Sequence, residues 1–98
     1  MSVEHRTDRD WIREHLTRAL RDRHCELTVL GGGRTVLKGR WPLMKETRGE
    51  TLPEGASVHL RYEAAGRACG FFTRVTASDG GYLLLDEPHE LLVVRKAA

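Results

Sequence analysis

The sequence is poor in aromatic side chains, with Phe, Trp and Tyr making up 6% of its 98 residues. A surface that stacks bases needs exposed rings among basic residues, and the supply here is short. Only Trp41, near Arg34, Lys38 and Arg40, qualifies, and it shares a strand face with Leu37 and Leu43, which favours core packing. No apolar run approaches the ~20 residues of a membrane-spanning helix. The opening "MSVEHRTDRD" is charged and lacks the apolar segment of a secretory signal, so a cytoplasmic location is expected. In a reducing compartment the two cysteines, Cys25 and Cys69, are not expected to form a disulfide; each sits in an apolar run and reads as a small core residue. Net charge is also low, at +2, which is a weak pull on any polyanion. There is no internal repeat, low-complexity tract or linker, so residues 1–98 read as a single domain.

One long helix is predicted over residues 8–23. Trp11, Ile12, His15, Leu16, Ala19 and Leu20 recur at helical spacing and form an apolar stripe. Thr7 is the expected N-cap, with Asp10 three residues on as a variant of the capping box. After His24 the period changes to two. In "CELTVL" Cys25, Leu27 and Val29 alternate with polar residues, and the glycines at 31–33 turn the chain. A second strand is expected in "RTVLKGRWPLM", with Thr35, Leu37, Gly39, Trp41 and Leu43 on one face and Pro42 at an edge. Residues 45–56 read as a polar connector. "SVHLRYE" then alternates, with Val58, Leu60 and Tyr62 inward and His59 and Arg61 outward. The runs "ACGFFTRVT", "YLLLDEP" and "LLVV" complete the set. One N-terminal α-helix followed by about six short strands, spanning residues 25–94, describes a mainly β chain built as a small antiparallel barrel with the helix against it.

The chemistry such a chain would need for catalysis is missing. The three glycines have no following Gly-Lys-Ser/Thr and no helix to cradle a phosphate. The histidines at 5, 15, 24, 59 and 89 include no metal-spaced pair. His24 and Cys25 are adjacent, and strand neighbours point to opposite faces. Cys69 and His59 fall on neighbouring strands, yet nothing near Cys69 would activate it as a nucleophile. The expectation is no enzyme, no metal and no cofactor.

Charge is distributed unevenly. Residues 34–48 carry Arg34, Lys38, Arg40, Lys45 and Arg48 against the single acid Glu46. Such a strip can attract phosphate, although charge runs more often only solvate a face.

The order from residue 52 onward, "LPEGASVHLRYEAAGRACGFFTRVTASDGGYLLLDEPHELLVVRK", is Leu-x-x-Gly, an alternating strand, a short turn, and a strand carrying aromatics. A turn, an apolar strand, a proline-containing turn and a strand ending in two basic residues follow. This succession resembles the N-terminal domain of YcgR-like flagellar brake proteins, the small domain that precedes a PilZ domain, and the helix and strands at 8–43 fit the same layout. The resemblance implies a split β-barrel related to PilZ and a regulatory, non-catalytic role in cyclic di-GMP signalling. In that family the paired domains hold the dinucleotide between them, and the complex slows the flagellar motor or tunes other surface functions. Arg95 and Lys96 stand where the family's basic junction begins. The ligand-binding part of the family uses Arg-x-x-x-Arg there, then Asp/Asn-x-Ser-x-x-Gly, and here the chain reads "VVRKAA". "RDWIR" at 9–13 has the first spacing but in a helix, and "TASDGG" at 76–81 has Thr76 in place of the acid or amide. Holding two phosphates and two guanines takes several arginines in fixed geometry.

The chain alone is therefore not expected to bind cyclic di-GMP. The resemblance points instead to a protein partner, either a PilZ-domain protein or a second copy of the chain. The alternative is a small nucleic-acid-binding barrel using Arg34, Lys38, Arg40 and Arg48. A flavin-type split-barrel enzyme has only fold analogy behind it.

Overall fold

The computed structural model describes residues 2–29, 34–49 and 52–95. Its elements are β1 (Ser2–Arg6), α1 (Arg9–Ala19), β2 (Arg21–Val29), β3 (Arg34–Arg40), β4 (Leu43–Gly49), β5 (Ser57–Ala64), β6 (Arg67–Asp79), β7 (Tyr82–Leu85) and β8 (Leu91–Arg95). All pairings are antiparallel. The sheet order is β1-β8-β6-β5-β2-β3-β4-β7, and β7 also pairs with β6. Six strands, β6-β5-β2-β3-β4-β7, therefore close into a barrel. The β1–β8 pair extends from it along β6. The fold is mainly β with one helix, as expected.

Closure depends on β6. At 13 residues it is the longest strand, and its two ends have different neighbours. Cys69 and Gly70 pair with β8, whereas Val75 and Ala77 to Asp79 pair with β7. The change of neighbour falls between Gly70 and Val75, and a register shift between Val75 and Ala77 follows within the β7 pairing. Such a bulge bends a strand and increases its twist, which turns the sheet back on itself.

The alternation read in the sequence fills the interior. Val58 and Leu60 have no exposed surface and Tyr62 is 7% exposed, while Arg61 faces out. Ile12, Leu16, Ala19 and Leu20 of the helix stripe join Cys25, Leu37, Phe71 and Leu83 in one buried cluster. Two hairpins close in two residues each: Ala65-Gly66 joins β5 to β6 and Gly80-Gly81 joins β6 to β7. All four have positive φ, the type I′ geometry that matches strand twist.

Several boundaries differ from the expectation. The helix is capped by Asp8, whose side chain accepts from the Trp11 amide, rather than by Thr7. It ends at Ala19 and not at 23, because Arg21 and Arg23 enter the ladder opposite Arg40 and Gly39. Backbone pairing to β3 outweighs further turns of a helix that has no apolar residue left to bury after Leu20. The expected strand over 34–44 is two strands, broken at a turn that contains the cis Trp41–Pro42 peptide. Pro42 thus sits in a turn, not at an edge. That turn resets the phase: Met44 is fully buried and Leu43 is 50% exposed. Residues 45–49, expected as connector, belong to β4, which pairs with β3 on one side and β7 on the other. β1 was not anticipated either.

Candidate functional site

The barrel interior holds two thiols and a phenol, Cys25, Cys69 and Tyr62. Register places Cys69 opposite Tyr62 on β5, and both are buried with Cys25. Burial pushes the Cys25 thiol up to about 12. It also raises Cys69, against weaker opposing pulls from the Tyr62 hydroxyl, the Ala64 backbone and Arg67. The Tyr62 phenol is raised as well, by burial first and by Cys69 and Cys25 after it. His15 Nε2 lies 2.8 Å from the Tyr62 hydroxyl, and burial, then the Arg18 and Arg6 charges, lower its pKa. Near neutral pH these groups are all uncharged: a thiol with no thiolate character is a poor nucleophile.

His59, the imidazole on the strand next to Cys69, lies on the other side of the wall. It pairs in register with Phe72, and the two rings sit 4.5 Å apart. Tyr62 and Cys69 point in, His59 and Phe72 point out, and no thiol–imidazole couple forms between Cys69 and His59.

A ladder of rings connects the interior with the helix. The Arg6 guanidinium lies 3.9 Å from the Trp11 ring centre, and Trp11 stacks on His15 at 4.7 Å and 11°. His15 reaches Tyr62, and Tyr62 and Trp41 both meet Phe71 edge-on. Beside this ladder is a recess of about 280 Å³ lined by Arg6, Trp11, His15, Arg67, Cys69 and others. Among the described residues no group of three His, Cys, Asp or Glu side chains could hold a metal ion, and no helix is long and apolar enough to cross a membrane.

The basic strip divides. Arg34, Lys38 and Arg40 lie on the outer face of β3 and are exposed. Arg34 is 3.5 Å from Glu26 Oε1. Lys45 of β4 lies directly opposite Lys38 and is exposed too. Arg48 is opposite Val36 in the backbone register. Trp41 is only 8% exposed, packed edge-on to Phe71, and is part of the core. The ring that does stand beside the cations is Tyr82, 46% exposed, with Lys45 Nζ 5.8 Å from its centre. The sequence gives no sign of Tyr82 as a site residue because residues 45–56 read as connector, and only the β4–β7 pairing, Lys45 opposite Tyr82, brings the two together. Arg95 ends β8 opposite Ser2, while Lys96 lies outside the described residues.

No family model matches the sequence, and no curated protein matches it. The fold is similar to that of MrkH of K. pneumonia, solved as a complex with c-di-GMP. The TM-score is 0.71 at 14% identity, over 98% of this chain and 45% of MrkH. The chain thus spans less than half the length of that protein.

Proposed function

We propose that this chain is a non-catalytic regulatory module of cyclic di-GMP signalling that works through contact with another protein. The observation that carries the reading is the likeness to MrkH over nearly the whole chain. The resemblance of residues 52–96 to the N-terminal domain of YcgR-like proteins supports the finer assignment to a PilZ-associated domain in motility. The buried, neutral thiols and phenol support the absence of catalysis.

The module on its own is not a dinucleotide receptor. Arg95, the last residue of β8, and Lys96, next in the sequence, supply charge without the several fixed arginines that a cyclic dinucleotide takes. Calorimetric titration of the chain with cyclic di-GMP is expected to give no heat. Mixing it with a PilZ-domain protein is expected to give a complex, seen by co-elution, whose affinity changes when cyclic di-GMP is added. Failure to bind PilZ-domain proteins from the same genome, with or without the dinucleotide, would remove this reading.

A second reading, a nucleic-acid-binding barrel, is favoured by one feature. Lys38, Arg40 and Lys45 share an outer face with the exposed Tyr82, which combines cations with a stacking ring. It predicts salt-sensitive retention on single-stranded DNA or RNA, reduced by Tyr82→Ala and by Lys45→Glu.

A further inference from the structure

The six barrel strands have partners on both sides, and β8 lies between β6 and β1. Among the described residues β1 alone pairs with a single neighbour, β8. A strand with one open side presents backbone N–H and C=O groups to any strand that can line up with them. We propose that this side of β1 pairs with β1 of a second copy, antiparallel, with His5 opposite His5 of that copy. The inference goes beyond the regulatory reading and does not depend on it.

The register follows from symmetry and charge. A two-fold axis perpendicular to the sheet sets one residue opposite its own copy, because opposed residues in an antiparallel pair share a face. Centring on Glu4 opposes two carboxylates, and centring on Arg6 opposes two guanidinium groups; like charges directly opposite destabilise a pair. Centring on Val3 aligns fewer residues and leaves both arginines outside the pairing. Centring on His5 sets Glu4 opposite Arg6 of the second copy, twice.

The groups concerned are already ordered. Arg6 Nη1 donates to Glu4 Oε1 at 2.9 Å, and the two side chains are 36% and 20% exposed. Arg6 is also held against the Trp11 ring. Both are positioned on one face of β1 before a partner arrives, which lowers the entropy lost on pairing. On the other face His5 is anchored by Glu90, and Val3, 48% exposed, would lie opposite Thr7 of the second copy.

The test is a charge exchange read by sedimentation equilibrium from micromolar to millimolar concentration. The wild-type chain is expected to dimerise reversibly. Glu4→Arg sets arginine against Arg6, and Arg6→Glu sets glutamate against Glu4, so each variant alone is expected to weaken the dimer by at least roughly tenfold. An equimolar mixture of the two restores opposite charges at both contacts and is expected to form a heterodimer, detected by native mass spectrometry. A wild type that stays monomeric to millimolar concentration would overturn the proposal, as would single variants that dimerise as well as the wild type. Hydrogen exchange on the unmodified chain gives an answer that does not depend on the variants folding. Amides of Ser2–Arg6 should become more protected as concentration rises, and protection independent of concentration counts against the pairing.

Discussion

Ala65 is the one residue other than glycine with positive φ among those described, at 53°. It occupies the first position of a type I′ turn, where Asn or Gly is preferred because a Cβ is strained there. Ala65→Asn is expected to stabilise the protein by about 0.5–1 kcal/mol, read as a higher urea midpoint with an unchanged slope. His15 and His59 both have pKa values lowered below the ordinary 6.5, chiefly by burial. Their folded forms take up protons later than the unfolded chain does. They therefore detract nothing above pH 6.5, and stability falls as pH drops from 6.5 through the folded values. Urea midpoints measured from pH 7.5 to 5 should decline, and less steeply in His15→Gln. Glu46 runs the other way. Burial raises its carboxyl above the ordinary 4.5, partly offset by the Leu52 amide, so its charged form weakens the fold at neutral pH. Glu46→Gln should raise the urea midpoint at pH 7, with the advantage vanishing below pH 4.5 as the carboxyl is protonated.

At the scale of elements, the phase reset after the Trp41–Pro42 turn gives a contrast between neighbours. Met44 faces the interior with no exposed surface, and Leu43 faces out. Met44→Ala is expected to cost about 2–5 kcal/mol, and Leu43→Ala less than about 0.5 kcal/mol, by chemical denaturation. Similar costs at both sites would contradict the observed register. Gly39 belongs to the same corner: a Cβ there would come within 2.8 Å of the Leu43 carbonyl oxygen and 3.1 Å of the Met44 Cα. The β3–β4 hairpin closes that tightly only because residue 39 has no side chain. This corner shows how much of the pattern was readable. Thr35 and Leu37 were placed inside correctly by the period of two. Past the turn the same period put Leu43 inside, because a linear alternation carries no information about a two-residue break.

At the scale of the molecule, closure and its exception control dynamics. β6 is paired with three strands, β5, β7 and β8, and β1 with one. Amides in the middle of β6 should exchange with solvent only through global unfolding, and those of β1 through a smaller local opening, except where self-pairing slows them at high concentration. Exchange followed by NMR orders the strands directly. The exposed groups are laid out at the same scale. The cations of β3 and β4 converge with Tyr82 on one outer face, and Glu4 and Arg6 lie on the open strand beyond β8.

Local patterning by itself determined the existence and type of the helix, the inward row of β5, the presence of strands in β6, β7 and β8, and the two glycine-containing hairpins. Those features arise from residues within a few positions of one another, where periodicity and turn chemistry act. Only the tertiary structure decided that "KETRG" and "SVEHR" are strands, that His59 and Cys69 occupy opposite sides of one wall, and that Tyr82 stands beside Lys45. β1 has few apolar side chains to announce it, and in β4 the next residue on the inner side after Met44 is the half-buried Glu46 rather than a second hydrophobe. Such segments become strands because closing the barrel satisfies their backbone hydrogen bonds against partners distant in the chain.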